Sequence, residues 1–559
     1  MERRRALFIA AVLLASAIFL AGAASRQSLT VDEAHYIGVG KHLAETGDWS
    51  LKGALLHPPL PFYLSSILFL GVEIPESVWQ SPHQDERGRA LCRALPGNRA
   101  LLLSRIPGIA LALLLFALVF AEARRAFGER AGSFALLLAA FEPNLLAHAS
   151  LATPDLPLTA LFFLAVLRMR RLREEGSARN TAIAGAVLGL AFLSKYNALL
   201  LIAIVPIAAL ADRAPPRFFI RMVLALFTAL LVLYAAYLPL AVRGDEPFLG
   251  KRLLPRPYEE GIEFQRRANT GHHAFFLGEI SDRGWRAYYP VAWLVKTPVP
   301  FLVLSAIGAG LLLRGRRRGD AAWLLLPPVL FFLFFVFASR INIGVRYILP
   351  VWPFFAALGG HAAASARGKW SRRGVFALAI WLVAGTAAAY PHFLSYFNEA
   401  AGGPEGGARI LADSNIDWGQ DLPGLKDFLE RKGYQGAYLA YFGNDDPERY
   451  GIRYRFLPGW IYSPPPRVYE ESLLYHPDPE IVAVSRMLMQ GVWLPDPDLY
   501  AWLERYPRIA TIGHSILVFD IRGEPEAHEN LARAYRVAGH HALYRDEITL
   551  AERARGAGR

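Results

Sequence analysis

The fold is decided by "ALLLSRIPGIALALLLFALVFAEARR", residues 100–125. Its apolar run, residues 100–121, matches the ~20 residues a helix needs to cross a bilayer core. Arg124 and Arg125 follow at once, with Arg130 close behind. An apolar run closed by a basic cluster marks a membrane helix ending on the inner side. Similar runs recur near 6–24, 131–150, 156–168, 181–194, 196–211, 219–241, 290–313, 321–338, 347–364 and 374–390. Several are short, so the regions 131–168 and 181–211 are each read as a hairpin. The first run lies between "MERRR" and "AGAASRQ", as a signal peptide would, but its length and the many later runs favour an uncleaved anchor.

Composition agrees. Of 559 residues 54% are apolar and only 19% charged, yet the net charge is +12. The Arg and Lys collect in short clusters between apolar runs, a membrane-topology pattern that excludes nucleic acid as the partner. A single cysteine, Cys92, excludes an intrachain disulfide and a Cys-rich metal site.

With the N-terminus inside, the inner segments hold Arg3–Arg5, Arg124/Arg125/Arg130, "RMRRLREE" (168–175), Arg213/Arg217/Arg221, "RGRRR" (314–318) and "RGKWSRR" (367–373). Every inner turn is basic. About eleven transmembrane helices then place the C-terminus outside, together with the loops 25–99 and 243–289. The expected fold is a polytopic α-helical membrane domain over 1–390 and an extracytoplasmic α/β domain over 391–559. In that tail "ARILADSNIDWGQDLPGLKDFLERKG" reads as a short strand, a loop and a helix stopped by Gly433. "YQGAYLAYFG", "EIVAVSRMLM" and "SILVFDI" read as further strands.

This topology gathers polar groups on one face. Asp32 and Glu33 stand on the first outer loop, Asp155 in the next outer turn and Lys195 in the one after. Lys296 begins the eighth run from the outer side, and Arg340 and Arg346 bracket "INIGV". Ionised groups at a bilayer boundary are costly without purpose. Each also has a bland account. Thr30 and Glu33 can form a capping box, basic residues at span ends snorkel to headgroups, and His57 before "PPLP" can serve a turn. A carboxylate facing several cations suits a lipid-borne donor: the cations bind a phosphate leaving group while the carboxylate takes a hydroxyl proton. His272 and His273 lack a third clear ligand, so no cofactor is expected and a divalent metal is the disfavoured alternative.

The ordered set "VDEAHYIGVGKHLAETGDW" (31–49), "HPPLPFYL" (57–64), "ATPDLPLTALFFLAV" (152–166), "GLAFLSKYNALLL" (189–201) and "NIGVRYILPVWP" (342–353) resembles a known superfamily. It is that of the protein O-mannosyltransferases and lipid A aminoarabinose transferases, membrane glycosyltransferases of the GT-C class. The resemblance spans roughly residues 1–400. It implies a polyprenyl-phosphate-linked sugar donor and inverting transfer on the outer face. By motif, Asp32 takes the general-base position, Glu33 completes the acidic pair and Asp155 is the second acidic residue. Lys195, Lys296, Arg340, Arg346 and His57 are the candidates for lipid-phosphate or donor binding. The tail lacks MIR-type repeats, which leaves the acceptor open among lipid, glycan and protein. The expected setting is the inner membrane of a bacterium, with the site and tail on the periplasmic side. The alternatives are a lipid or sugar transporter or flippase, disfavoured by charges kept at span ends and by the lack of related halves, and a non-enzymatic assembly factor.

Overall fold

The structure, a computed structural model, describes residues 2–79, 84–95, 97–239, 252–315, 317–459 and 475–557. The start of the expected outer loop 243–289 lies outside the described residues. The chain divides into two compact units. The first comprises Met1–Ser25, Asp32–His272 and Arg283–Gly403; the second comprises Arg26–Val31, His273–Asp282 and Pro404–Arg559.

The first unit is helical. Among the described residues six helices are long and apolar enough to cross a membrane: Arg3–Arg26, Arg99–Phe127, Pro216–Ala236, Arg318–Phe337, Val345–Ser365 and Lys369–Ala389. They make this an integral membrane protein. The run 290–313, expected as one span, folds as Tyr288–Lys296 and Val299–Arg314 with a bend of 112° between them. Thr297 is extended there, as a residue preceding proline prefers. Counting that pair gives up to seven spans among the described residues, with Pro59–Phe69, Ala178–Phe192 and Tyr196–Ala211 as shorter apolar helices. The run 131–150 breaks at Phe141–Glu142 into Glu129–Ala140 and Pro143–Ala149. Asp155–Glu174 is long enough but ends in a strongly basic turn.

Val345–Ser365 is the most buried of these six spans, and glycines in its helix Trp352–Ser365 and in its neighbours allow close approach. A Cβ on Gly308 would stand 1.8 Å from the Leu358 carbonyl oxygen, and one on Gly360 2.3 Å from that of Ala131. Without a hydrophobic drive between helices in lipid, such close small-residue contacts carry the association.

The second unit is built on a five-stranded sheet. Strands β1 (Ala274–Phe276) and β2 (Glu279–Ser281) form a separate hairpin. The sheet strands are β3 (Gly436–Ala440), β4 (Arg453–Phe456), β5 (Ile481–Ser485), β6 (Arg508–Ile512) and β7 (Ile516–Asp520), ordered β4-β3-β5-β7-β6. β3 runs parallel to β4 and β5, while β7 is antiparallel to β5 and β6. Alternation puts Ala437, Leu439, Ile481, Ala483, Ile516 and Val518 on one face, against Leu422, Leu425 and Phe428 of helix Leu422–Lys432. Gly433 closes that helix in the left-handed conformation, φ 69°. The strand expected in "ARIL" does not form; Leu411 makes only an isolated bridge to Phe276.

Candidate active site

Asp32 is the N-cap of helix Glu33–Thr46 and makes no capping bond through its side chain. The expected capping box is therefore absent: Glu33 is the first helical residue, not the third. Arg105 binds the Glu33 carboxylate with two N–H groups, at 2.8 and 2.7 Å, and the Ala152 amide donates to the same carboxylate at 2.8 Å. Both side chains of this pair are fully buried. The two adjacent acids thus part company, Glu33 pinning the helix start to its neighbours and Asp32 left at the cavity.

Asp155 opens helix Asp155–Glu174 and is buried. It accepts a hydrogen bond from Lys195 Nζ at 2.7 Å, and its other oxygen lies 3.7 Å from Arg346 Nη1. The same Nη1 donates to Asp32 at 3.4 Å. Lys195 sits in an extended residue just before the turn Tyr196–Leu200, and Arg346 in the 3₁₀ turn Val345–Val351. The Tyr347 ring backs both cations, 4.4 Å from Lys195 Nζ and 5.2 Å from the Arg346 guanidinium carbon. The result is an alternating row, Lys195, Asp155, Arg346, Asp32. Asp155 is enclosed between its cations, whereas the Asp32 side chain keeps 29% of its surface exposed. Asp32 is the carboxylate a ligand can reach.

Lys195, Arg346 and Asp32 line a cavity of about 590 Å³ together with Tyr36, His57 and Tyr347, and Asp155 lies behind its two cations. One wall is the helix Arg256–Ala268, which contributes Phe264 and Gln265; the Gln265 side-chain amide donates to the Leu56 carbonyl at 2.8 Å. Burial raises the Asp32 pKa above its ordinary value, and Arg346 opposes the rise. Burial and the charge of Lys195 push His57 well below the usual imidazole range. His57 is therefore neutral, and it offers a hydrogen bond to the cavity rather than charge to a phosphate.

Three expected site residues do not join this group. Glu33 is held as described. Lys296 is buried elsewhere, donating to the Leu394 carbonyl at 2.7 Å above the Phe397 ring, because it ends a helix that bends away at the next residues. Arg340 is exposed, its backbone amide donating to Asn269; its neighbours Ser339 and Ile341 line the cavity instead. His272 lines the cavity, whereas His273 bonds Asp282 at 2.5 Å within the second unit. Among the described residues no cluster of three metal-ligating side chains exists. Of the aromatics of the loop 243–289, Phe276, Tyr288 and Tyr289 are buried in the fold, and neither Phe275 nor Trp285 lines this cavity. Sequence reading missed Tyr36 and Tyr347. Tyr36 lies four residues beyond Asp32, one helical turn on, and Tyr347 adjoins Arg346.

Residues 90–240 match a family model described as dolichyl-phosphate-mannose-protein mannosyltransferase. This mannosyltransferase-like segment carries Asp155 and Lys195, and it supports the GT-C superfamily expected from the motifs. Among solved structures the chain is similar to the crystal structure of ArnT from Cupriavidus metallidurans bound to undecaprenyl phosphate, at 16% identity and TM-score 0.49, covering 92% of this chain and 97% of that one. It is also similar to the S. cerevisiae protein O-mannosyltransferase Pmt1-Pmt2 complex bound to the sugar donor, at 19% identity and TM-score 0.33, covering 43% and 34%. An Archaeoglobus fulgidus oligosaccharyltransferase matches at 14% identity and TM-score 0.37, covering 68% and 52%. Comparison with curated protein sequences finds no match.

Proposed function

We propose that this mannosyltransferase-like membrane protein transfers a sugar from a polyprenyl-phosphate-linked donor to an acceptor hydroxyl, with inversion. The observation that carries the reading is the row Lys195, Asp155, Arg346, Asp32, in which one carboxylate alone is open to the cavity. Asp32 takes the proton as the acceptor oxygen bonds to the anomeric carbon, and the bond from that carbon to the phosphate breaks. The phosphate oxygen keeps the electron pair. Lys195 and Arg346 meet the growing charge, which preorganised donors in a dry site do well. Asp155 stays ionised between them and fixes their positions. His57, neutral, orients a sugar or acceptor hydroxyl.

The reaction takes place on the outer face, where a lipid-borne donor replaces nucleotide sugars, and we assign the protein to a bacterial inner membrane with its sheet-bearing unit in the periplasm. The test is release of polyprenyl phosphate by purified protein from lipid-linked sugars, wild type against Asp32→Asn. Loss of a general base costs about 10²–10⁴-fold in turnover. A folded variant that keeps wild-type turnover would overturn the assignment of Asp32.

A further inference from the structure

The second unit holds a larger cavity, about 840 Å³, that the proposed reaction does not use. It lies against the sheet face opposite helix Leu422–Lys432, where Leu517 and Phe519 of β7 project. Phe275 from the β1–β2 hairpin and Tyr506 complete its aromatic surfaces. The polar lining mixes both signs of charge. Glu405 accepts from Arg486 at 2.7 Å with one oxygen and from Arg508 at 3.1 Å with the other. Arg409, Glu504 and Gln490 add further groups. Gln490 gives its amide N–H groups to the Ala408 and Leu411 carbonyls, which leaves its buried Oε1 as an acceptor with no protein partner.

The chemistry selects among ligands. A phosphate would need a concentrated positive field, but Glu405 already occupies both Arg486 and Arg508. An apolar chain would strand the buried Gln490 oxygen without a donor. A saccharide satisfies the whole set. Its hydroxyls donate to Gln490 Oε1, Glu405 and Glu504, accept from the arginines, and its C–H face packs on aromatic rings. The volume falls within the roughly 300–1,000 Å³ of small-molecule sites.

We propose that this cavity binds an oligosaccharide, the glycan end of the acceptor. Saccharide binding stands on the cavity alone; only the word acceptor rests on the proposed transfer reaction. The experiment is saturation-transfer NMR on the full chain in nanodiscs, with maltotriose, N,N′-diacetylchitobiose and a galacturonate trimer as probes. Wild type binds at least one of them, and Tyr506→Ala and Gln490→Leu each weaken it by about tenfold. Asp32→Asn leaves binding unchanged, because Asp32 belongs to the other unit. The proposal is overturned if none of the probes binds folded wild type, or if both cavity variants bind as wild type does. Binding by a wild type that turns over no lipid-linked donor would uphold the cavity and overturn its link to transfer.

Discussion

Arg346 serves two carboxylates at once, and this gives the site a pH signature. In the proposed reaction Asp32 serves as the base only when ionised, so turnover should fall as pH drops through its pKa. Burial raises that pKa and Arg346 lowers it. In Arg346→Gln the opposing charge is gone, the pKa rises further, and the acid limb of kcat/KM moves to higher pH. Turnover also falls by about 10²–10³-fold through lost phosphate stabilisation. An acid limb that stays in place in a still active variant would detach Asp32 from the proton transfer. Glu33 and Arg105 make a different case. Removing one partner leaves the other charge buried and unmatched, at a cost of about 3–5 kcal/mol. Arg105→Gln should therefore lower the thermal unfolding midpoint in detergent sharply, and near-wild-type unfolding would refute the pin. The sequence could bring Asp32, Asp155, Lys195 and Arg346 to one face because each sits at a turn next to an apolar run. It could not separate Glu33 from Asp32, since the partner that claims Glu33 lies 72 residues away. Nor could it place Lys296 and Arg340, because a span end fixes depth while packing fixes direction.

At the scale of elements, period and punctuation were legible where apolar content was high. β3, β5, β7 and the helix Leu422–Lys432 stand in the stretches expected for them. The outer strands β4 ("RYRF") and β6 ("RIATI") were missed, because edge strands carry more polar residues and a weaker alternation. The kink at Thr297–Pro298 was written in the sequence as "VKTPVP", yet a run of apolar residues on either side concealed it. Packing between helices is set by single glycines that hydropathy ignores. Gly308 faces the Leu358 carbonyl with no room for a Cβ, so helix Val299–Arg314 must retreat if one is added. Gly308→Val should cost about 1–3 kcal/mol by overpacking, read as a lowered midpoint of thermal unfolding. Gly310, with open space where its Cβ would stand, is the control: Gly310→Ala should unfold as wild type does. Equal behaviour of the two variants would show that the contact is slack.

Across the membrane unit, the two ends of one helix carry opposite chemistry. Helix Asp155–Glu174 begins behind the cavity, where Asp155 holds Lys195 and Arg346, and ends about 30 Å away, at 1.5 Å per residue, in a basic turn. At that far end Arg170 meets Glu122 at 3.1 Å and also pairs with Asp320, Arg125 meets Glu122 at 2.8 Å, and Arg173 meets Asp212 at 2.8 Å. These residues come from segments that charge counting assigned to the inner side, and the fold pairs them across those segments. Since cationic clusters resist translocation, this end should face the cytoplasm and the cavity the periplasm. Thiol labelling reads the outcome directly. Cys92 is the chain's sole cysteine and is buried, so the background is low. Ser177→Cys and Ser371→Cys, both exposed on the basic side, should react with a membrane-impermeant maleimide only after the inner membrane is opened. Thr549→Cys, exposed in the sheet-bearing unit, should react once the outer membrane alone is breached. Labelling of position 177 before the inner membrane is opened would reverse the orientation. A cytoplasmic cavity would then meet nucleotide sugars, and the reason for a lipid-linked donor would disappear with it.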